Sequence, residues 1–218
     1  HLLPKESGGA REDGEDLVPV LAANRYHLAE DRDGLLQVKR GKVFGLFAPS
    51  HLEAEIDRPA TRPNQPTLEE MTRQAIALLS QDRDGFFLMV EGSQIDWADH
   101  ANDPAHLLSD LLQYERAARV ALDFARKDGQ TLVLLFSDHN TGGLSIGNSR
   151  TNHSYPQMGT EELLAPLRRL KASSSALWRK VEKTPTPAAV QAAVAEGWGM
   201  DCTEPQARAI LDLAALYK

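Results

Sequence analysis

The chain has 218 residues, 42% of them hydrophobic, which is enough for a proper core in one large domain or two small ones and too apolar for a disordered chain. Twenty-four Lys and Arg against thirty-one Asp and Glu give a formal net charge of −7, which excludes a nucleic-acid surface built on general positive charge and leaves a phosphate substrate in need of local cations, such as bound metal. One cysteine, Cys202, excludes an internal disulfide and a thiolate metal cluster, and no run approaches the roughly 20 apolar residues of a membrane span.

His1 opens the sequence without an initiator methionine or a signal-like segment, as expected of a processed or truncated piece. Residues 8–15 are glycine-rich and charged, and residues 16–21 then start an apolar helix or strand. Alternation in residues 26–28 and 34–39 suits short strands, and residues 41–48 read as a buried strand bounded by glycine. A proline-bearing loop over residues 57–66 follows. Residues 68–80 have helical spacing, and Thr67 with Glu70 forms a capping box at their start.

Residues 85–91 read as an apolar strand ending in Glu91. Residues 105–127 form a long amphipathic helix with Leu108, Leu111, Leu112, Ala118, Val120, Ala121 and Phe124 inward, closed by Gly129. Residues 131–136 are the next apolar strand, and a strand, helix, strand order of this length implies a parallel pair. After Gly143 the pattern turns helical, over residues 160–181, 187–196 and 203–217. The fold class expected is α/β, a largely parallel sheet flanked by helices, with residues 1–154 as the α/β domain and residues 155–218 as a helical appendage or insertion.

Both apolar strands end in chemistry. Glu91 closes the first, where a carboxylate is costly to bury unless paired or ligating metal. Asp96 and His100 follow, four residues apart and on one face of a helical turn. The second strand ends in Asp138 and His139, and the Thr141-Gly142-Gly143 after them supplies a turn that lets both point at one cluster. The carboxyl edge of an α/β sheet is where ligands bind, so the two groups suggest one shared metal centre. Imidazole with carboxylate suits Zn²⁺, making Asp96 with His100 one half-site and Asp138 with His139 another, while Glu91 better suits Mg²⁺. Each pair supplies two of the three protein ligands of a catalytic zinc.

These residues resemble the alkaline phosphatases, in particular the bacterial branch with VEG-x-x-ID-W-x-x-H, here residues 90–100, and DH-x-TGG, here residues 138–143. The likeness is densest over residues 40–148. It implies an alkaline phosphatase-like fold and a phosphate monoester hydrolase with Zn²⁺ and Mg²⁺ as cofactors. In that arrangement Asp96 and His100 bind one zinc, Asp138 and His139 the second, and Glu91 the magnesium. It also implies that a serine attacks phosphorus, that the enzyme works in the periplasm or is secreted, and that a homodimer is allowed. No nucleic-acid or membrane partner is expected. Trp97, beside Asp96, is a candidate for shaping the phosphate entrance, while Asp99 and Asp103 are expected in solvent and His106 at the surface.

The pattern is incomplete. No Asp-Ser dipeptide occurs, so the nucleophile and the aspartate beside it are expected to precede His1, and the chain alone is expected to be inactive. The family's last zinc ligand, a histidine followed by Thr-Gly, is absent, and His153 reads as a loop histidine; the phosphate-binding arginine has no assigned position. Two other readings stand beside the phosphatase: a non-catalytic metal-binding or interaction module, and another hydrolase of the same superfamily, a phosphodiesterase or sulfatase.

Overall fold

A computed structural model of the chain describes residues 2–146 and 157–216. In chain order the elements are α1 (Leu17–Ala23), β1 (Tyr26–Ala29), α2 (Arg32–Gln37), β2 (Lys42–Gly45), α3 (Arg58–Thr61), α4 (Leu68–Leu79), α5 (Ser93–His100) and α6 (Pro104–Asp128). Helices α7 (Thr160–Leu164), α8 (Ser174–Val181), α9 (Pro187–Trp198) and α10 (Glu204–Leu216) follow. The chain divides into two compact units. The first is His1–Leu52, Arg62–Glu91 and Gln113–Leu135; the second is Glu53–Thr61, Gly92–Leu112 and Phe136–Lys218.

In the first unit β1 and β2 pair in parallel, from Tyr26 opposite Lys42 to Ala29 opposite Gly45, with α2 in the connection between them. Residues 34–39, expected as a strand, lie mostly in α2 instead. The Asp31 carboxylate accepts the Gly34 N–H at 2.7 Å, and this N-cap outweighs the alternating pattern behind it. The capping box of α4 forms as read: Thr67 Oγ1 accepts the Glu70 N–H at 3.1 Å, and Glu70 Oε2 accepts the Thr67 N–H at 3.0 Å. Arg32 Nε then donates to Glu70 Oε1 at 2.7 Å, tying α2 to α4. Burial raises the Glu70 pKa, but the Thr67 N–H and the Arg32 guanidinium outweigh it and hold the carboxyl below its ordinary value.

The sheet is smaller than expected. Residues 85–91 and 131–136 join no ladder, so the largely parallel sheet is, among the described residues, the two-stranded parallel pair alone in a mostly helical chain. Exposure still alternates along residues 85–91 and over residues 131–134 with the period of an extended chain. Phe86 turns inward onto Phe124 of α6, ring centroids 5.9 Å apart, while Phe87 is 89% exposed and Leu132 81%. Ladder partners on both edges are what make such an apolar run a buried strand, and neither run has one. On α6, Leu111 and Leu112 are likewise exposed rather than inward, whereas Ala117 is fully packed.

The second unit has its core in the helical tail. Leu177 and Val181 of α8 pack with Val190 and Ala193 of α9 and Ala207 of α10. Two buried carboxylates fix the start of α8. Asp57 accepts the Ser173 N–H at 3.1 Å and its hydroxyl at 2.5 Å, and Asp103 accepts the Ser174 N–H at 2.6 Å. Negative charge at a helix N-terminus is favoured by the helix dipole, so both groups stabilise α8 where it begins. Asp103 also accepts the Ala105 and His106 N–H groups, capping α6. It is therefore buried, not in solvent as expected, because three backbone donors converge on it.

Candidate metal centre

Helix α5 carries Asp96 and His100 one turn apart, and its buried seat is Ala98, with no exposed surface. His100 Nε2 lies 3.5 Å from Asp96 Oδ2. Against this helix lies the loop that follows residue 136, in the same unit. His139 Nε2 is 3.9 Å from Asp96 Oδ1 and 3.5 Å from Asp138 Oδ2. Four of the five expected ligands are thus brought together, with Asp96 between the two histidines.

Gly142 permits the approach. Its φ of +70° is a left-handed angle, and a Cβ built on it would run into the backbone carbonyl of Asp99 in α5. Any other residue would hold the loop away from the helix. Asp99 itself is half-buried rather than in solvent as expected, with this turn against its carbonyl.

Thr141 is the residue that sequence reasoning missed. Its hydroxyl lies 2.8 Å from Asp96 Oδ1 and 2.8 Å from His139 Nδ1. A hydroxyl has one proton, and the carboxylate can only accept it, so Nδ1 of His139 must be the donor to the threonine oxygen. The proton on Nδ1 leaves the lone pair of His139 on Nε2, which faces Asp96 and Asp138. A threonine among small turn residues gives no signal for this in the sequence, beyond its place in DH-x-TGG.

The donors fit zinc pair by pair. Zinc bonds of about 2.0–2.2 Å in a tetrahedron put neighbouring donor atoms roughly 3.3–3.6 Å apart, and two of the imidazole–carboxylate pairs stand at 3.5 Å. No third donor joins either pair, because among the described residues no three His, Cys, Asp or Glu side chains form a metal-holding group. Glu91 belongs to the first unit, where its side chain is exposed rather than at the end of a buried strand. Trp97 is 49% exposed beside Asp96. His153 lies outside the described residues.

Known proteins are similar to this chain in sequence and fold. The family model "Alkaline phosphatase" matches residues 2–194. The chain belongs to the alkaline phosphatase family. Alkaline phosphatase 3 of Bacillus subtilis (strain 168) is 49% identical over 122 residues, which cover 56% of this chain and 26% of that protein. The alkaline phosphatase of Escherichia coli (strain K12) is 36% identical over 149 residues, 58% of this chain and 32% of that one. Thermus thermophilus alkaline phosphatase superposes with a TM-score of 0.78 at 29% identity, over 91% of this chain and 41% of that chain, so the fold is alkaline phosphatase-like. The chain therefore spans well under half the length of these relatives.

Proposed function

We propose that this chain is the metal-ligand-bearing part of a phosphate monoester hydrolase, and that Asp96, His100, Asp138 and His139 hold two zinc ions there. The observation that carries the reading is the convergence of both family motifs on Asp96, with imidazole and carboxylate donors at zinc-like separations. Bound zinc would supply Lewis-acid charge to offset the phosphoryl oxygens, in a chain whose own net charge is −7. Glu91 is assigned to magnesium on the family resemblance alone.

The protein's own residues prepare that site. Asp96 lies between His100 and His139, its Oδ2 3.5 Å from the one ring and its Oδ1 3.9 Å from the other. Thr141 orients His139 and fixes its tautomer, as outer-shell partners of zinc-bound histidines do. The negative charges that Asp96 and Asp138 bring to one site would be offset by bound dications. Trp97 borders the site as a wall for the phosphate monoester. Residues 1–154 then form part of the family's α/β domain and residues 155–218 a helical addition to it, in an enzyme of the periplasm or the exterior.

The chain alone is inferred not to turn substrate over: among the described residues no third donor completes either zinc pair, and no Asp-Ser dipeptide occurs in the sequence. Apolar surface left bare on residues 85–91 and 131–136 supports the same reading, since a helix-backed run of this kind is normally covered on both faces. The test is hydrolysis of p-nitrophenyl phosphate and p-nitrophenyl sulfate, with Zn²⁺ and Mg²⁺, by the longest polypeptide that contains this chain. Faster phosphate turnover, abolished by His139→Ala, is expected. Faster sulfate turnover, or a rate indifferent to that substitution, would overturn the assignment.

A further inference from the structure

His106 was expected at the surface, but its side chain is only 12% exposed, and its position gives it a task. The ring's Nε2 lies 3.0 Å from Gln94 Oε1 of α5 and 3.5 Å from Asp110 Oδ2 of α6. Both partners are acceptors at that nitrogen, so Nε2 carries a proton and donates. Asp110 is itself held in place by the Glu55 N–H at 3.1 Å and the Ser109 hydroxyl at 3.2 Å. Burial pushes the Asp110 carboxyl above its ordinary range, against the lowering pull of the Glu55 N–H and His106, as befits an interior anchor rather than a surface ion pair.

Helix α5 needs such an anchor. It has eight residues, and its N-cap is Gly92, which offers no side chain to its first turn. Isolated helices this short are marginal, so tertiary contacts must hold it. Ala98 seats the second turn, and the close approach of Gly142 to Asp99 braces the end. The first turn is tied through Gln94, two residues before Asp96.

We propose that His106 is a positioning residue that holds the first turn of α5 through Gln94, and thereby fixes where Asp96 and His100 point. The idea rests on the metal reading above for its consequence, but not for its geometry. His106 touches no ligand atom of the proposed site; it acts on the helix that carries two of them. Its partner Asp110 supplies the fixed end of the chain of contacts, and Glu55 ties that end to the segment before α3.

The test compares His106→Leu, which deletes the donor, with His106→Gln, whose amide N–H can replace it. In the metal-free chain, hydrogen exchange over Ser93–His100 should quicken roughly three- to tenfold in His106→Leu, the loss of one hydrogen bond of ordinary strength. It should return toward the parent rate in His106→Gln, with α8 to α10 unchanged in both. Zinc affinity by calorimetry should fall about tenfold in His106→Leu and recover in His106→Gln. Unchanged exchange in α5 overturns the proposal, and so does faster exchange with unchanged zinc affinity. A parent chain that takes up no zinc counts against the metal reading instead, and the exchange comparison then still decides whether His106 holds the helix.

Discussion

Gly142 is where a single atom decides whether the two motifs meet. Its neighbour Gly143 has a similar positive φ, +67°, but nothing stands within 4 Å of a Cβ built there. Gly143→Ala should therefore cost only the backbone term, about 1–2 kcal/mol, in chemical denaturation. Gly142→Ala should cost distinctly more, and it should weaken zinc binding where Gly143→Ala does not. Equal losses from the two substitutions would mean that the close approach to Asp99 is not what holds the loop. At this scale the sequence is readable where spacing alone sets geometry: Asp96 and His100 stand one turn apart on α5, while His139 comes within 3.9 Å of Asp96 only through the turn at Gly142. The burial of Asp103 and His106 is not legible in the sequence, because it comes from backbone donors and from Gln94, which no local pattern announces.

Elements divide along the same line. The capping box on α4 was legible because Thr67 and Glu70 satisfy each other within four residues, needing nothing from the rest of the chain. The apolar runs at 85–91 and 131–136 were read as buried strands, yet a strand is made by its neighbours, and these have no ladder. Glu70 offers a prediction at this scale. Its folded pKa is depressed, so its contribution to stability is present above its ordinary value of 4.5 and is lost as pH falls through the lower folded value. Glu70→Gln keeps a capping side chain but removes the charge facing Arg32. Denaturation at pH 6 should show the parent more stable than the variant, with the gap closing toward pH 3. A gap that widens on acidification would contradict the assignment.

On the scale of the molecule, a cluster of buried apolar residues joins α8, α9 and α10, where Leu177 stands against Gly197 so closely that a Cβ on the glycine would meet its side chain. Leu177→Ala should destabilise the second unit by about 2–5 kcal/mol, the usual cost of emptying a tight core site, as measured by urea denaturation. A loss under about 1 kcal/mol would place the core elsewhere. The family match runs from residue 2 to 194 and so reaches into this helical tail, while the chain spans well under half the length of its relatives. What this part does on its own is bring donors together at Asp96. Calorimetric titration of the purified chain with Zn²⁺, set beside Asp96→Asn, measures that directly. Saturable binding to the parent, weaker than in a site with all its ligands, is expected, and so is its loss in the variant. Zinc uptake indifferent to the substitution, or none by the parent, would contradict the zinc assignment.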